Sequence, residues 1–210
     1  SCTELNLAEI ETALEGFQQL TDNNTFAPIM PYYITQIYYL QEKFQKVTEY
    51  APQFVHSASA RRLPEIAKII GDSYYQLKQY DSSLTYLKLH EEKAGRIARA
   101  DHYQIGYVAY QLDSLNKAIT HLEQVTGKED KMAQNAYYHL ADCYLKMDQK
   151  NKAKLAFEFA SRLDFDPRIK IETILAHSLS SKKKLSNIVL EKGQVYVMYK
   201  RYNRPEIFQV

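Results

Sequence analysis

Small residues recur along this chain at a nearly constant interval, and this period limits the possible folds more than any other feature. One series has spacings of 34, 36, 35 and 35 residues: Ala13, Val47, Ser83, Ala118 and Ala153. A second series has spacings of 36, 35 and 35 residues: Thr35, Gly71, Gly106 and Ala141. A fixed period in the mid-thirties is typical of helical repeat arrays, in which each helix pair buries its apolar face against its neighbours. The sequence therefore predicts an all-α array of antiparallel helix pairs.

The segments around the second series align with one another. They read IGDSYYQLKQYDSSL (70–84), IGYVAYQLDSLNKAI (105–119) and LADCYLKMDQKNKAK (140–154), with a fainter copy, ITQIYYLQEKFQKVT, at 34–48. Each has an aliphatic residue, a small residue, a core aromatic or small residue, a polar break and an apolar–small pair. This pattern resembles the tetratricopeptide repeat, which has a Leu-Gly pair and a Tyr in its first helix. The resemblance implies a right-handed superhelical solenoid.

The repeat register predicts a helical repeat domain over residues 1–192 and an irregular or strand-prone tail over 193–210. The parts of the domain are an orphan helix at 8–20, full repeats at about 28–61, 64–97, 99–132 and 134–167, and a partial repeat at 168–192. The expected helix pairs are 31–41 with 43–56, 61–78 with 81–94, 99–112 with 115–126, and 130–147 with 150–163. A second helix of the partial repeat, at 184–192, is only weakly indicated, because Gly193 and a lysine run flank it.

Composition argues against two classes of partner. The formal net charge is +2 and no long block of one sign occurs, whereas a nucleic-acid surface normally has a basic stripe. No stretch of about 18 apolar residues is present, so the sequence predicts no membrane insertion. Two cysteines, Cys2 and Cys143, leave the redox compartment open.

The motifs that would indicate catalysis or a cofactor are absent from the sequence. It contains no Gly-rich phosphate loop, no HExxH and no CxxC. His139 and Cys143 are one helical turn apart beside Asp142, which is a spacing that metal ligands use. We interpret Cys143 instead as a small buried residue. We therefore predict no catalytic residues, no metal and no cofactor, with an enzyme carrying an unrecognised site as a remote alternative.

Tyrosines fall at equivalent positions of successive first helices, which line the concave side of such arrays. The sequence has 18 Tyr and no Trp. The first row is Tyr39, Tyr75, Tyr110 and Leu145, and the second is Tyr32, Lys68, Tyr103 and Tyr138. Between the two rows lie Gln36, Asp72, Tyr107 and Asp142, and beside the first lie Gln76, Gln111 and Lys146. Because Tyr is enriched at interfaces, we predict a groove that binds a protein or peptide.

A competing interpretation is that these tyrosines pack helix against helix, as we expect for Tyr74 and Tyr144 at the core position. In that case the chain is a structural spacer or an oligomerisation segment, and its contacts are with a second copy or with further parts of a parent protein. The groove has no repeated Lys and Asn of the kind that clamp a terminal carboxylate in some tetratricopeptide domains. A C-terminal carboxylate ligand is therefore not favoured.

Two longer phrases extend the resemblance. PYYITQIYYLQEKFQKV and AQNAYYHLADCYLKMDQKNKAKLAFEFASRLDFDP are similar to long bacterial proteins built of many tetratricopeptide repeats. Those proteins are generally exported and act at the cell envelope. The resemblance implies that the chain is a fragment of such a protein and that it resides in the bacterial periplasm or cell envelope.

Overall fold

The computed structural model describes residues 2–22, 25, 27–180, 185–191, 194–199 and 206–209. The chain divides into two compact units, Ser1–Ile97 and Ala98–Val210. Unit 1 contains α1 (Cys2–Gln19), α2 (Met30–Leu40), α3 (Phe44–Tyr50), α4 (Leu63–Gln76) and α5 (Tyr80–Ala94), with 3-10 turns at Leu20–Asp22 and Pro52–Ser57. Unit 2 contains α6 (Arg99–Gln111), α7 (Leu115–Glu123), α8 (Lys131–Lys146), α9 (Lys150–Arg162), α10 (Pro167–Ser180), β1 (Leu185–Glu191), β2 (Gln194–Tyr199) and β3 (Glu206–Gln209).

The predicted helix pairs form, and consecutive helices pack on each other as α4 with α5, α6 with α7, and α8 with α9. Two boundaries differ from the prediction in unit 1. Helix α1 begins at Cys2 and not near residue 8, and its Leu14 and Phe17 pack on the core of unit 1. The expected helix at 43–56 is divided, because Pro52 has no backbone N–H and the chain continues as a 3-10 turn.

Glycine permits close approach of the paired helices. A Cβ atom added to Gly71 would lie 2.8 Å from Cγ of Leu87, and one added to Gly106 would lie 2.8 Å from Cγ of Leu122. Ser83, a member of the first small-residue series, donates its hydroxyl to the carbonyl oxygen of Gly71, a member of the second, over 2.9 Å. The small-residue period therefore marks the places where the two helices of a pair come closest.

The turn inside each helix pair repeats with the same period. Four residues there have φ near +55°: Glu42, Lys78, Asp113 and Asp148. In the second repeat, the backbone N–H of Lys78 donates to the oxygen of Tyr75, and the N–H of Gln79 donates to the oxygen of Tyr74. This is the hydrogen-bond pattern of a Schellman helix end, a position that usually carries glycine.

A buried amide connects α8 to the segment that follows α9. Gln134 is fully buried, and its Nε2 donates to the carbonyl oxygen of Leu163 over 2.7 Å. Its Oε1 accepts from the backbone N–H of Asp166 over 2.7 Å. Because both ends of the amide are satisfied, Gln134 holds the turn before α10 without the cost of an unpaired buried polar group.

The end of the chain departs from the helical repeat. Residues 185–191 form strand β1, so the weakly indicated second helix at 184–192 is a wrong prediction. Among the described residues, the partial repeat consists of its first helix, α10. β1 pairs antiparallel with β2, and β2 pairs antiparallel with β3. The segments LSNIVLE and QVYVMY are rich in β-branched and aromatic residues, which favour strands over helices.

Candidate functional site

In unit 1, helix α2 and the start of α4 carry a small hydrogen-bonded group. The hydroxyl of Tyr32 donates to Oε2 of Glu65 over 2.5 Å. Nε2 of Gln36 donates to the hydroxyl oxygen of Tyr32 over 2.7 Å and to Oε1 of Glu65 over 3.2 Å. Burial and the Glu65 hydrogen bond raise the pKa of Tyr32 to about 12. Tyr32 and Gln36 of the predicted groove therefore both donate to the carboxylate of Glu65, which the prediction did not include.

Tyr39, two turns after Tyr32 on α2, also donates its hydroxyl to a carboxylate. Its hydroxyl donates to Oδ2 of Asp72 over 3.3 Å, and Asp72 is only 8% exposed. Burial, with the Asp72 carboxylate adding to it, raises the pKa of Tyr39 to about 12. Asp72 was expected to line the groove, but its side chain is buried. Its hydrogen bond with Tyr39 connects α2 to α4, the first helix of the next repeat.

The other predicted residues of unit 1 are less closely associated. The ring of Tyr75 packs against the ring of Tyr80, with centroids 6.3 Å apart. Lys68 is half-buried, whereas Gln76 is exposed on α4.

In unit 2 six of the predicted residues lie together with one that was not predicted, His139. We call this surface the tyrosine face: Tyr103, Tyr107, Tyr110, Tyr138, His139, Asp142 and Lys146. On α6 the ring centroids of Tyr103 and Tyr107 are 6.3 Å apart, and those of Tyr107 and Tyr110 are 6.4 Å apart. All four tyrosines are half-buried, and Gln111 beside them is exposed.

His139 on α8 joins these rings. Its ring centroid lies 5.1 Å from that of Tyr107, 4.9 Å from that of Tyr110 and 5.3 Å from that of Tyr138. Burial lowers the pKa of His139 to about 4, partly opposed by the charge of Asp142. The imidazole is therefore neutral at pH 7 and acts in the tyrosine face as a further ring.

Lys146, Asp113 and Asp142 form a charged group at one edge of the tyrosine face. The hydroxyl of Tyr110 donates to Oδ2 of Asp142 over 2.8 Å, and burial followed by this hydrogen bond raises the pKa of Tyr110. Nζ of Lys146 lies 4.8 Å above the centroid of the Tyr110 ring, 3.2 Å from Oδ1 of Asp113 and 3.6 Å from Oδ2 of Asp142. The ring of Tyr110 is thus fixed both at its hydroxyl and at its face.

Of two pairs of groove and core tyrosines, one pair differs in solvent exposure and the other does not. Tyr144 is 7% exposed, and its hydroxyl donates to Oε1 of Glu123 over 2.6 Å, whereas Tyr110 is half-buried. Tyr74, expected at the core position, and Tyr75, of the first row, are both half-buried, so their exposure does not distinguish a core residue from a groove residue. Tyr74 stacks on Tyr86, with ring centroids 5.7 Å apart.

Cys143 is fully buried, as we expected of a packing residue. Burial raises the pKa of its thiol to about 12, so the sulfur is not a thiolate at pH 7. Within the described ranges, no three His, Cys, Asp or Glu side chains are grouped so that they could hold a metal ion. No helix in the described part of the chain is long and apolar enough to cross a bilayer.

Glu65, the acidic partner of Tyr32, was not among the predicted groove residues, and Asp142 was predicted without being paired with Tyr110. Glu65 follows Tyr32 by 33 residues, and Asp142 follows Tyr110 by 32. An acidic residue about one repeat after a row tyrosine was the signal that could have identified these pairs. His139 was considered only as a metal ligand, because periodicity does not show that three rings converge on one side chain.

Comparisons with known proteins agree with this architecture. Residues 134–167 match the family model described as the tetratricopeptide repeat. The comparison with curated proteins found no match.

Solved structures show the same fold at low sequence identity. YrrB, described as a TPR protein with an unusual peptide-binding site, is 16% identical over 81% of this chain and 86% of its own, with a TM-score of 0.66. MamA is 13% identical over 84% of this chain and 95% of its own, with a TM-score of 0.56. BtubC from P. vanneervenii is 11% identical over 86% and 83%, respectively, also with a TM-score of 0.56.

Proposed function

We propose that this chain, as a protein of the tetratricopeptide-repeat fold, is a non-catalytic scaffold that binds a protein or peptide segment on the tyrosine face of unit 2. The observation that carries the proposal is the convergence of Tyr107, Tyr110 and Tyr138 on the neutral ring of His139. The three tyrosine rings are half-buried and contiguous through the buried His139, and tyrosine provides a large apolar surface with a polar edge. A peptide-binding site described for YrrB, which has the same fold, also supports it.

The side chains of the tyrosine face are already held in place without a partner, which favours a role in binding. The hydrogen bond to Asp142 and the ammonium of Lys146 hold the Tyr110 ring in place. Less side-chain freedom is then lost when a partner docks, which lowers the entropic cost of association. The charges of Lys146 and Asp113 at the edge can orient the partner, since polar groups at the rim contribute to specificity.

One observation favours the alternative of a structural spacer. The hydroxyls of Tyr39 and Tyr110 both donate to carboxylates of the following helix pair. Tyrosines that bind successive repeats together are useful to a spacer even when no partner is bound. The two functions are separable because a spacer needs the hydroxyl contacts, whereas a binding surface needs the exposed ring edges.

Site-specific crosslinking tests the proposal. A photoreactive amino acid replaces Gln111, which is exposed beside the tyrosine face, and in a matched protein it replaces the exposed Thr120 on α7. We expect one defined protein from the native cell extract to crosslink at position 111 and not at position 120. Equal labelling at both positions, or none at either, would argue for the spacer.

The affinity of the captured partner is then measured for two tyrosine variants. Tyr107→Ala removes a central ring of the face, while Tyr137→Ala removes a half-buried ring of the next helix pair, α8 and α9, that stacks on Phe159. We expect Tyr107→Ala to weaken binding by about 1–2 kcal/mol, as aromatic anchors do, and Tyr137→Ala to leave it unchanged. Loss of affinity in both variants would show that the effect is one of folding.

We also propose that the chain functions in the bacterial periplasm or cell envelope. The support is the similarity of its repeat phrases to exported bacterial proteins with many tetratricopeptide repeats. Fractionation of the native cells with an antibody against this chain tests the location, and recovery in the cytosol alone would contradict it.

A further inference from the structure

Unit 1 contains a cavity of about 1050 Å³ that the tyrosine face does not include. It lies between the segment before α2, the 3-10 turn at Pro52–Ser57 and the start of α4. Its walls combine apolar side chains, such as Ile29 and Phe54, with two arginines, Arg61 and Arg62. A concave space of this size with few convergent polar groups is the usual form of a ligand site.

Arg62 is positioned there by two aromatic rings. Its guanidinium carbon lies 4.7 Å from the ring centroid of Tyr32 and 5.2 Å from that of Tyr33, and Nη2 donates to the hydroxyl of Tyr33 over 3.4 Å. Nη1 is buried and finds no acceptor among the residues that the structure describes. A guanidinium held against two rings with an unpartnered donor can pair with a planar acceptor, and a carboxylate fits this fork geometry.

The charges of the lining also favour an anion. Arg61 and Arg62 contribute two positive charges, and the one carboxylate of the lining belongs to Glu65. Glu65 already accepts hydrogen bonds from Tyr32 and Gln36, so its oxygens are partly engaged. Arg61 is exposed and can approach the ligand from the solvent side.

We infer that this cavity, here called the Arg62 cavity, binds a carboxylate of a partner segment together with an adjacent apolar side chain. Arg62 would form the hydrogen bonds to the carboxylate, and Ile29 and Phe54 would contact the apolar group. The inference rests on the proposed peptide-binding function and adds the chemistry of the partner. A carboxylate could come from an acidic side chain or from a chain terminus, and the experiment separates these sources.

Three short peptides serve as probes. They are acetyl-Phe-Glu-Leu-amide, acetyl-Phe-Gln-Leu-amide, and acetyl-Phe-Gln-Leu with a free C-terminal carboxylate. The Nε–H signal of Arg62 in ¹⁵N NMR spectra reports binding in the unaltered protein, and titration gives the affinity. We expect the Glu peptide to bind about tenfold more tightly than the neutral peptide, since hydrogen bonds to charged groups are worth this much, and to shift the Arg62 signal. A free C-terminus that reproduces the effect identifies the terminus as a second source of the same group.

Matched variants locate the effect. Arg62→Gln should abolish the preference for the Glu peptide, while Arg96→Gln, an exposed arginine of the same unit outside the cavity, should retain it. Thermal melts of both variants show whether they are folded. If Arg62→Gln is unfolded, the NMR titration of the unaltered protein decides the question without it.

Two results would overturn the inference. The first is equal affinity for the Glu peptide and the neutral amide, or an Arg62 signal that no peptide moves. The second is a shift of that signal by inorganic phosphate at lower concentration than by the Glu peptide, which would assign the cavity to tetrahedral anions. Neither result affects the Tyr107→Ala test in unit 2, so failure of the cavity and failure of the proposed function can be distinguished.

Discussion

Tyr110 donates its hydroxyl hydrogen to Oδ2 of Asp142 over 2.8 Å and so connects α6 to α8, the first helices of adjacent repeats. Tyr39 and Asp72 have the same relationship in unit 1, at 3.3 Å. Periodic tyrosines therefore have a structural role in addition to any role in binding. Their hydroxyls fix the spacing of neighbouring helices, and their ring edges remain at the surface.

This relationship predicts a measurable loss of stability in Tyr110→Phe. The variant keeps the ring but removes the hydroxyl that donates to Asp142, and a hydrogen bond to a charged acceptor contributes about 1.5–3 kcal/mol. We expect the low end of that range, near 1.5 kcal/mol, because Asp142 is half-buried and keeps Lys146 nearby. Urea unfolding measures the change in the free energy of unfolding.

Tyr137→Phe is the control for that measurement. Tyr137 is also half-buried, and its ring stacks on Phe159 with centroids 5.1 Å apart. We expect a change within about 0.5 kcal/mol, as for substitutions that leave packing intact. If the two variants unfold at the same urea concentration, the Tyr110–Asp142 bond does not stabilise the repeat pair.

Gly71→Ala is expected to be destabilising although alanine is the better helix former. The added Cβ would lie 2.8 Å from Cγ of Leu87 and 3.1 Å from its backbone nitrogen, and Leu87 is fully buried and cannot move aside. Overpacking of this kind typically costs about 1–3 kcal/mol. Gly16→Ala in α1 is the matched control, because no atom lies within 4 Å of its added Cβ. It should stabilise the chain by about 0.5–1 kcal/mol in thermal melts, and a loss of stability in both variants would contradict the close-approach argument.

The positions of closest helix approach were predictable from the sequence because they depend on residue size. Gly71 and Gly106 recur at the repeat period, and only a small residue tolerates the contact with Leu87 or Leu122. The locations of the tyrosine rows followed from the same period. Residue size and spacing alone therefore suffice to predict the fold class and the helix pairing.

Other features of the structure could not be predicted from residue size and spacing. The residues of positive φ, such as Lys78 and Asp148, are not glycines, so nothing in their identity marks the helix end. The convergence of three rings on His139 depends on the rotation of α6 relative to α8, which periodicity leaves undetermined. A helix at 184–192, where strand β1 lies, was weakly indicated because a first helix at 168–180 called for a partner.

Lys78→Gly should stabilise the chain. Lys78 has φ of 57°, and the left-handed region costs a residue with a Cβ about 1–2 kcal/mol, whereas glycine enters it freely. Part of this gain is offset by the greater freedom of glycine in the unfolded chain, so we expect a net gain of about 0.5–1 kcal/mol. The converse control is Gly95→Ala, which places a Cβ at φ of 70° and should lower the melting temperature. A lower melting temperature for Lys78→Gly as well would show that the lysine side chain contributes more than the strain costs.

His139 should make the folded state sensitive to mild acid. Burial lowers its pKa to about 4 in the folded protein, against 6.5 for an ordinary histidine, so between these pH values the unfolded chain binds a proton that the folded chain does not. The free energy of unfolding therefore falls as the pH decreases through this window, by about 2 kcal/mol from this residue at pH 4.5. Asp130, whose pKa the Arg99 hydrogen bond lowers to about 2, loses its stabilising effect only at lower pH. Unfolding of the parent and of His139→Gln is compared by urea denaturation at pH 7 and pH 4.5. We expect the variant to lose less stability than the parent between these two conditions, and parallel losses would mean that His139 is not the residue that responds.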